Sequence, residues 1–435
     1  MSSTTPASAA GGELAVLGGG LIGLAVAWRA AQHGLRVHLA DPQPGAGAST
    51  AAAGMLAPVT EAHYGEERLL ALNLRSARRY PGFVAELEAV TGLPTGFDTR
   101  GTLAVAFDRD DRAVLAETAA FHRRLALASV PLSGREARAL EPRLAPGVQA
   151  GLLVEQDHQV DNRLLHAALL AAAEGAGVRM HRSRAELVVE GGRARGLRLA
   201  DGALLSADHV VLAAGCWSSE VPGLPPDVLP RIRPVRGQIL RLRMTGGALL
   251  GRTVRAMVRG SYVYLVPRAH GELVVGATSD ELGFDTGVTA GGVYELLRDA
   301  HEVVPGITEL PLIESRTGLR PGSPDNAPLL GPTALPGLIA ATGHHRNGVL
   351  LTPVTADAIC ALLADGTLPQ YAAAFSPDRF GAVGAVDVAR EAGVAAGGAA
   401  VAATAATGPA TATSDAAFGE ITAGSAGTAV PAGGF

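Results

Sequence analysis

The sequence predicts an α/β (α+β) fold in two parts: a parallel sheet with helices on its faces, and an antiparallel sheet with helices packed on it. Three observations support this prediction. The stretch ELAVLGGGLIGLAVAWRAAQHGLRVHLAD has the pattern of a strand, a helix and a second strand. Much later, HVVLAAGCW has the pattern of a buried strand that returns to the same sheet. Segments after it, such as RGQILRLRM and SYVYLVPR, alternate as antiparallel strands do.

The first element is the strand, helix and strand at the start of the folded part. A short buried strand runs from Leu14 to Leu17, and apolar residues at helical spacing continue to about Gln32. Gly34 then ends the helix, and the second strand ends at Asp41. This order predicts two parallel strands joined by a crossover helix.

The turn of this unit carries glycines at the spacing G-x-G-x-x-G, namely Gly18, Gly20 and Gly23. The first permits a tight turn, the second lets backbone approach a pyrophosphate, and the third lets helix and strand pack closely. Asp41 stands where an acidic side chain would accept hydrogen bonds from an adenosine ribose. Glycine turns also arise for packing alone, but strand, helix and Asp41 agree. We therefore predict a Rossmann-type FAD/NAD(P)-binding domain, and the fingerprint does not separate the two cofactors.

A run of small residues, PQPGAGASTAAAGMLAP, follows Asp41. Small side chains would let the backbone pass close along a long flat ligand at Ala53, Gly54 and Met55. The alternative is a flexible connection between domains. The run is too uniform to decide between these two interpretations.

The rest of the chain predicts a discontinuous domain arrangement. Asp161 can cap a helix from about Arg163 to Glu174, which precedes a small meander and the returning strand. The tail is mostly Ala, Gly, Thr and Ser and cannot bury enough apolar surface to offset its ordering entropy. The predicted parts are a disordered start at 1–12, an FAD-binding domain at 13–59 plus 150–224 plus 314–380, a substrate-binding domain at 60–149 plus 225–313, and a disordered low-complexity tail at 381–435.

Five arginines fall near strand spacing in the second antiparallel region: Arg231, Arg233, Arg236, Arg241 and Arg243. A solvated sheet face explains such a pattern better than a binding patch does. We therefore expect these side chains to face water.

Composition excludes several classes of function. The chain has 435 residues, 48% hydrophobic content and a formal net charge of −5, so we expect a soluble protein that binds neither nucleic acid nor membrane. Only Cys216 and Cys360 occur, and both are interpreted as small core residues in a reducing, cytoplasmic protein without a signal peptide. His344 and His345 lack further ligands at suitable spacing, so we predict no metal site.

Several longer motifs resemble those of one family. LAVLGGGLIGLAVAWRAA, STAAAGMLAP, YVYLVPR, GELVVGATSDELGFD, GLRPGSPDNAPLLG and ATGHHRNGVLLTPVTA occur in this order. They resemble the FAD-dependent amino acid oxidases of the D-amino acid oxidase and sarcosine oxidase superfamily, and most of all the glycine oxidases of thiamine biosynthesis. The resemblance covers about residues 13–380. It implies a D-amino acid oxidase-like fold in which a sheet-rich lobe covers a non-covalently bound FAD.

The resemblance also implies the substrate contacts. Arg320 in GLRPG matches the arginine that holds the substrate carboxylate, a role that suits a guanidinium because its two parallel hydrogen bonds fit a carboxylate. Tyr264 matches a tyrosine near that carboxylate, and Tyr262 would share its strand face. The family's glycine oxidases can carry histidine at the position of Tyr262. Arg346 is implied near the substrate. An arginine in a Gly-Pro turn and tyrosines in a sheet can also be purely structural.

The resemblance extends the cofactor contacts beyond the glycine turn. The loop before the last long helix would lie along the flavin, and the N–H groups at that helix N-terminus would stabilise its reduced, anionic form. The cofactor-binding residues that we predict are Gly18, Gly20, Leu21, Ile22, Gly23, Asp41, Pro42, Ser49, Thr50, Ala53, Gly54, Met55, Ala185, His344, His345, Arg346, Asn347, Gly348, Val349 and Leu350.

The activity that the resemblance implies is oxidative deamination of glycine, or of small amines and D-amino acids such as sarcosine and D-alanine. The products would be a 2-oxo acid, ammonia and, with oxygen as electron acceptor, hydrogen peroxide. The glycine imine could instead supply thiazole synthesis, in which case the thiazole synthase would be a partner that accepts the imine. We also expect the protein to form a homo-oligomer. No general base is required, because the cofactor carries the chemistry. The alternatives are a D-amino acid or sarcosine oxidase or dehydrogenase outside thiamine synthesis, and a non-catalytic flavin-binding module.

Overall fold

A computed structural model of the protein describes residues 11–258 and 260–381. Apart from residues 11, 12 and 381, the segments that we predict to be disordered lie outside the described residues. In chain order, the strands of the described part are β1 (Glu13–Leu17), β2 (Arg36–Ala40), β3 (Met55–Leu56), β4 (Thr102–Ala106), β5 (Val130–Ser133), β6 (Ala150–Val154), β7 (His158–Gln159), β8 (Arg179–His181), β9 (Ala185–Glu190), β10 (Arg193–Leu199), β11 (Leu204–Ser206), β12 (His209–Leu212), β13 (Arg233–Arg243), β14 (Thr253–Val258), β15 (Ser261–Pro267), β16 (Glu272–Gly276), β17 (Leu312–Gly322), β18 (Leu329–Pro332) and β19 (Leu338–Thr342).

The α-helices of the same part of the chain are α1 (Leu21–Gln32), α2 (Ala48–Ala51), α3 (Glu67–Thr91), α4 (Arg109–Arg124), α5 (Gly134–Leu140), α6 (Asn162–Gly175), α7 (Ala290–Val303), α8 (Thr352–Asp365) and α9 (Gln370–Ala373). Short 3₁₀ helices lie at Gly215–Glu220, Pro305–Glu309 and Pro377–Phe380.

The first sheet has six strands in the order β18-β19-β12-β1-β2-β8. β1 pairs in parallel with both β12 and β2, so the returning strand lies beside the first strand as predicted. α1 packs against α6 and α8 over one face, and its Leu24 and Trp28 are buried there. On the other face, the three-stranded meander β11-β10-β9 buries Leu197 in the same cluster as Val210 of β12. The Rossmann-type prediction is confirmed.

The second sheet has eight strands in the order β17-β13-β16-β15-β14-β4-β6-β5. Its neighbours are antiparallel except for the parallel pair of β14 and β4. α7 packs on this sheet and closes its core with Leu296 and Val303. The segments 150–154 and 314–322, which we assigned to the FAD-binding domain, lie as strand residues in this sheet. The domain boundaries stay a prediction.

The prediction that the five arginines face water is wrong for two of them. Only 4% of the surface of Arg236 and 1% of that of Arg241 is exposed to solvent, whereas Arg231 and Arg243 are exposed. β13 lies between β17 and β16 and is covered on both faces, so alternation along it does not mark a wet face. The two buried guanidinium groups are paired instead, Arg241 with Glu272 and Arg236 with Asp280 and Asp285.

Both cysteines are buried, as predicted, and burial raises the pKa of each thiol to about 12. Among the described residues, no group of three or more His, Cys, Asp or Glu side chains is arranged to hold a metal ion. No helix in this part of the chain combines the length and the apolar character that a bilayer crossing requires.

Candidate active site

One cavity of about 780 Å³ connects the glycine turn of the first sheet to the second sheet. At one end it is lined by the turn after β1, by Asp41 and by the small residues of α2. At the other end it is lined by side chains of β15 and β17, including Tyr264 and Arg320, and by the loop before α8. The sequence-predicted cofactor and substrate residues therefore meet in one elongated space.

The glycine turn leaves no room for side chains. Gly18 has a φ of +113°, and a Cβ there would stand 2.3 Å from the carbonyl oxygen of Ala213. A Cβ at Gly23 would stand 1.9 Å from the carbonyl oxygen of Gly18. Gly20 is the residue before α1, and the next amide, of Leu21, donates to Ser49 Oγ at 3.1 Å. Bare backbone at a helix N-terminus fits the pyrophosphate of a dinucleotide.

Asp41 lies at the end of β2 beside this turn. Its Oδ2 accepts a hydrogen bond from the Gly19 amide at 2.6 Å, and its Oδ1 accepts one from the Gln43 amide at 2.7 Å. The carboxylate thus holds the turn while lining the cavity. Each oxygen retains acceptor capacity for a ribose hydroxyl.

The run of small residues after Asp41 is structured and lines the cavity. It forms α2 and then β3, and Ala53, Gly54 and Met55 face the space. Gly54 has a φ of +68°, and a Cβ there would stand 1.9 Å from the carbonyl oxygen of Val160. Arg268, which is buried, donates to the Ala53 carbonyl at 2.7 Å. These contacts favour the ligand-lining interpretation over a flexible connection.

Arg320 projects from β17 across β13 into the cavity. Its guanidinium lies directly over Gly237, where a Cβ would stand 2.5 Å from each Nη atom. Nη1 donates to the carbonyl oxygen of Thr278 at 3.2 Å and, more weakly, to that of Arg236 at 3.5 Å. Within the described part of the chain, no carboxylate lies within ion-pair distance of Arg320. The charge is therefore held by carbonyl dipoles and remains available to an anion.

Tyr264 of β15 lies beside this guanidinium on a second glycine. A Cβ at Gly276 would stand 2.4 Å from the Tyr264 hydroxyl oxygen, so the phenol ring covers that glycine. Burial raises the pKa of Tyr264, while the charge of Arg320 acts in the opposite direction. The phenol remains protonated near neutral pH and can donate a hydrogen bond. Tyr262, two residues earlier, is 67% exposed and does not line the cavity.

The loop before α8 contributes neutral histidines. His344 is buried, and its Nε2 lies 3.0 Å from Thr355 Oγ1. Burial lowers the pKa of His344 to about 3, and burial with the charges of Arg346 and Arg320 lowers that of His345 to about 3. Tyr80 and Ser76 of α3 donate to the carbonyl oxygens of Val349 and Leu350, which fixes the loop from behind. The loop thus presents backbone, two uncharged imidazole rings and the guanidinium of Arg346 to the cavity.

Residues that the sequence did not indicate complete this end. Glu61 lines the cavity and accepts a hydrogen bond from Arg255 at 2.5 Å. Burial alone would raise the pKa of Glu61, but the charges of Arg255 and Arg346 outweigh it and hold that pKa below its ordinary value. Arg346 Nη2 contacts His63 Nε2 at 2.5 Å. These partners are 194 and 283 positions apart, so no local motif could have revealed them.

A buried carboxylate supports the segment that carries Glu61. Asp157 accepts hydrogen bonds from the amides of Val59 and Thr60, at 3.1 and 2.6 Å, and from the Thr60 hydroxyl at 2.6 Å. Burial raises the pKa of Asp157 to about 6, against the opposing effect of the hydrogen bonds from Thr60. The two residues before the cavity-lining Glu61 are thus held by hydrogen bonds to one carboxylate.

The cavity brings together most of the residues that the sequence predicts. Those that do not line it are Gly23, Thr50, Asn347, Leu350 and Tyr262. Those that line it are Gly18, Gly20, Leu21, Ile22, Asp41, Pro42, Ser49, Ala53, Gly54, Met55, Ala185, Tyr264, Arg320, His344, His345, Arg346, Gly348 and Val349. Contact of each with a cofactor or substrate stays a prediction.

Comparison with known proteins connects this geometry to one family. Residues 13–362 match the DAO family, described as FAD dependent oxidoreductase. The Bifunctional protein ThiO/ThiG of Synechocystis sp. is 35% identical over 85% of this chain and 54% of its own length, so the chain spans about half of that relative. Glycine oxidase of Geobacillus kaustophilus is 33% identical over 79% of this chain and 90% of its own.

Solved structures show the same similarity. The crystal structure of glycine oxidase from Geobacillus kaustophilus superposes with a TM-score of 0.78 at 32% identity, over 84% of this chain and 98% of that one. The iminodiacetate oxidase from Chelativorans sp. BNC1 gives a TM-score of 0.75 at 28% identity, with the same two coverages, 84% and 98%.

Proposed function

Because this chain belongs to the DAO family of FAD-dependent oxidoreductases, we propose that it oxidises the amine of glycine or of a similarly small amino acid. FAD is its cofactor, and the glycine turn, Asp41 and the small residues of α2 are the groups that would hold it. One observation supports the substrate class above all: the guanidinium of Arg320 faces the cavity beside Tyr264, without an ion-pair partner among the described residues. An unpaired guanidinium in a partly closed space is suited to a carboxylate.

In this proposal the chain's own residues act by orientation and electrostatics. Arg320 grips the substrate carboxylate through two parallel hydrogen bonds, and the protonated phenol of Tyr264 donates a third. FAD, when bound, supplies the two-electron acceptor that the side chains cannot provide. The neutral rings of His344 and His345 add no positive charge that would repel an incoming ammonium group. The N-terminus of α8 follows the cavity-lining Gly348 closely and would favour negative charge on the cofactor.

The choice of glycine rests on the relatives. Proteins named glycine oxidase are up to 33% identical to this chain, and those named ThiO/ThiG are up to 35% identical. We extend both names to this chain as a proposal: its imine product is hydrolysed to glyoxylate and ammonia, or passes to a thiazole synthase in thiamine formation. Oxygen is the proposed electron acceptor and yields hydrogen peroxide. A cytoplasmic homo-oligomer with non-covalently bound FAD completes the proposal.

The test is a product assay on the FAD-loaded full chain. Glycine, sarcosine and D-alanine are supplied separately in air, and hydrogen peroxide, ammonia and the 2-oxo acid are quantified. The proposal expects stoichiometric peroxide and glyoxylate from glycine, with a kcat/KM at least equal to those of the other two. If only D-alanine or sarcosine is turned over, that compound and not glycine is the substrate. Reduction of an artificial acceptor without peroxide would indicate a dehydrogenase, and inactivity with all three would contradict amine oxidation.

A further inference from the structure

The orientation of Arg320 depends on the loop of residues 277–289, which follows β16. The Arg320 guanidinium is held by two carbonyl oxygens, one from Thr278 in this loop and one from Arg236 in β13. Thr286 of the same loop lines the cavity, and its carbonyl accepts a hydrogen bond from the Thr317 hydroxyl. Any shift of the 277–289 loop therefore moves an acceptor that positions the guanidinium.

The buried guanidinium of Arg236 holds the middle of this loop, while Gln238 binds its two ends at Thr278 and Thr289. Only 4% of the surface of Arg236 is exposed to solvent, and its Nη1 donates to Asp285 at 2.6 Å and to the Gly287 carbonyl at 3.1 Å. Its Nη2 donates to Asp280 at 3.3 Å. The backbone amides and carbonyls of Arg236 and Asp280 are also paired, at 2.7 and 3.0 Å. One side chain thus connects both ends of residues 280–287 to the strand on which Arg320 rests.

The far side of the loop extends toward the cofactor end of the cavity. Phe284 stacks on Trp217 with ring centroids 6.2 Å apart, and Trp217 lines the cavity next to Gly47. The loop therefore spans from the substrate end to the wall near the glycine turn. Its position affects the space at both ends.

We infer that Arg236 is a positioning residue for carboxylate binding: by fixing the 277–289 loop it fixes the Thr278 carbonyl oxygen, the nearer of the two that aim Arg320 into the cavity. The inference rests on the proposed function in that the ligand is the carboxylate of a small amino acid. An Arg236 that only stabilises the fold would leave carboxylate affinity unchanged once the protein is folded and loaded with FAD. A fork-shaped guanidinium is needed because Asp280 and Asp285 are engaged through different nitrogens.

The experiment measures acetate binding to the FAD-loaded full chain, from the change in the flavin absorption spectrum. Acetate carries the carboxylate without an amine, so its binding is independent of turnover. Arg236→Gln is expected to weaken acetate binding by about tenfold, the loss of roughly one hydrogen bond to a charged group. Arg236→Lys should recover part of the loss. Arg243→Gln, at the exposed end of the same strand, is the matched control and should bind acetate as the wild type does.

Asp285→Asn tests the same contact from the solvent side, since the Asp285 side chain is 56% exposed and its loss need not prevent folding. It should weaken acetate binding in the same direction, and its effect should not add fully to that of Arg236→Gln. Folded, FAD-loaded variants of both residues with wild-type acetate affinity would overturn the inference, as would a wild-type protein that binds no acetate. Acetate binding without any oxidation of glycine would contradict the proposed function and leave the role of Arg236 standing.

Discussion

Gly237→Ala is the sharpest perturbation of the substrate end, because it adds one methyl group beneath the Arg320 guanidinium. The new Cβ would stand 2.5 Å from both Nη atoms and 2.6 Å from Cζ. Unstrained contacts between such atoms begin at about 3.5 Å, so the guanidinium must move by about 1 Å. Gly237 does not have a positive φ, so alanine is compatible with its backbone. The main consequence is displacement of the far end of Arg320.

A displacement of about 1 Å at an orienting group can lower catalysis by about 100-fold, which corresponds to about 2.7 kcal/mol. We expect kcat/KM for glycine to fall by that order in Gly237→Ala, with FAD content unchanged. Steady-state kinetics and the flavin spectrum measure the two quantities. Gly151→Ala is the control: Gly151 is a buried strand residue of the same sheet outside the cavity, where a Cβ would stand 3.1 Å from that of Ala137. Undiminished kcat/KM in a fully loaded Gly237→Ala protein would refute the placement of Arg320 at the reacting end.

Three further experiments test other residues at or beside the cavity. Arg320→Met should raise the KM for glycine by about 100-fold without loss of bound FAD, since two charge-assisted hydrogen bonds are removed; loss of FAD instead would indicate a structural role. Glu61→Gln leaves the half-buried Arg255 without its anion and should lower the unfolding free energy by about 3 kcal/mol, and adding Arg255→Met should restore most of it. In chemical denaturation, unrestored stability in the double variant would contradict this pairing. Asp157→Asn should remove a pH dependence of the unfolding free energy. In the folded protein the pKa of Asp157 is raised from 3.8 to about 6, so its ionisation lowers the unfolding free energy as pH rises between these two values, by at most about 1.4 kcal/mol per pH unit. Identical pH slopes for wild type and variant would contradict that assignment.

Local sequence patterns predicted the elements whose contacts are local. The βαβ unit was recognisable because its strand, turn and helix each carry their own pattern, and α1 ends at Gln32 as predicted. Asp161 caps α6 through the amides of Arg163 and Leu164, two and three residues away. Capping and glycine turns are decided within a few residues, so a single sequence contains the information they need.

The features that the sequence did not predict depend on pairing between strands that are far apart in the chain. Arg236 and Arg241 were expected in water because alternation was taken as the sign of a wet face, but burial of β13 depends on partners in β16 and β17. Alternation did place Tyr262 and Tyr264 in the same phase of β15, yet only Tyr264 turns into the structure, where its ring lies over Gly276 of the neighbouring strand. Tyr262 lies near the open end of the strand and remains 67% exposed.

The substrate end shows the same limit. Resemblance to a family indicated Arg320 and Tyr264, but the two glycines beneath them, Gly237 and Gly276, carry no signal of their own. Their importance comes from side chains that cross from paired strands. Likewise, Glu61 lines the cavity and pairs with Arg255, which is 194 positions away, so no local pattern marked it.

Amine oxidation at this cavity is tested by a visible absorption spectrum of the FAD-loaded chain without oxygen, taken before and after glycine is added. We expect the oxidised flavin band to bleach with glycine and to return when air is admitted, and the Arg320→Met variant to bleach only at far higher glycine concentrations. A fully loaded wild-type protein whose flavin band is unchanged by glycine, sarcosine and D-alanine would contradict amine oxidation.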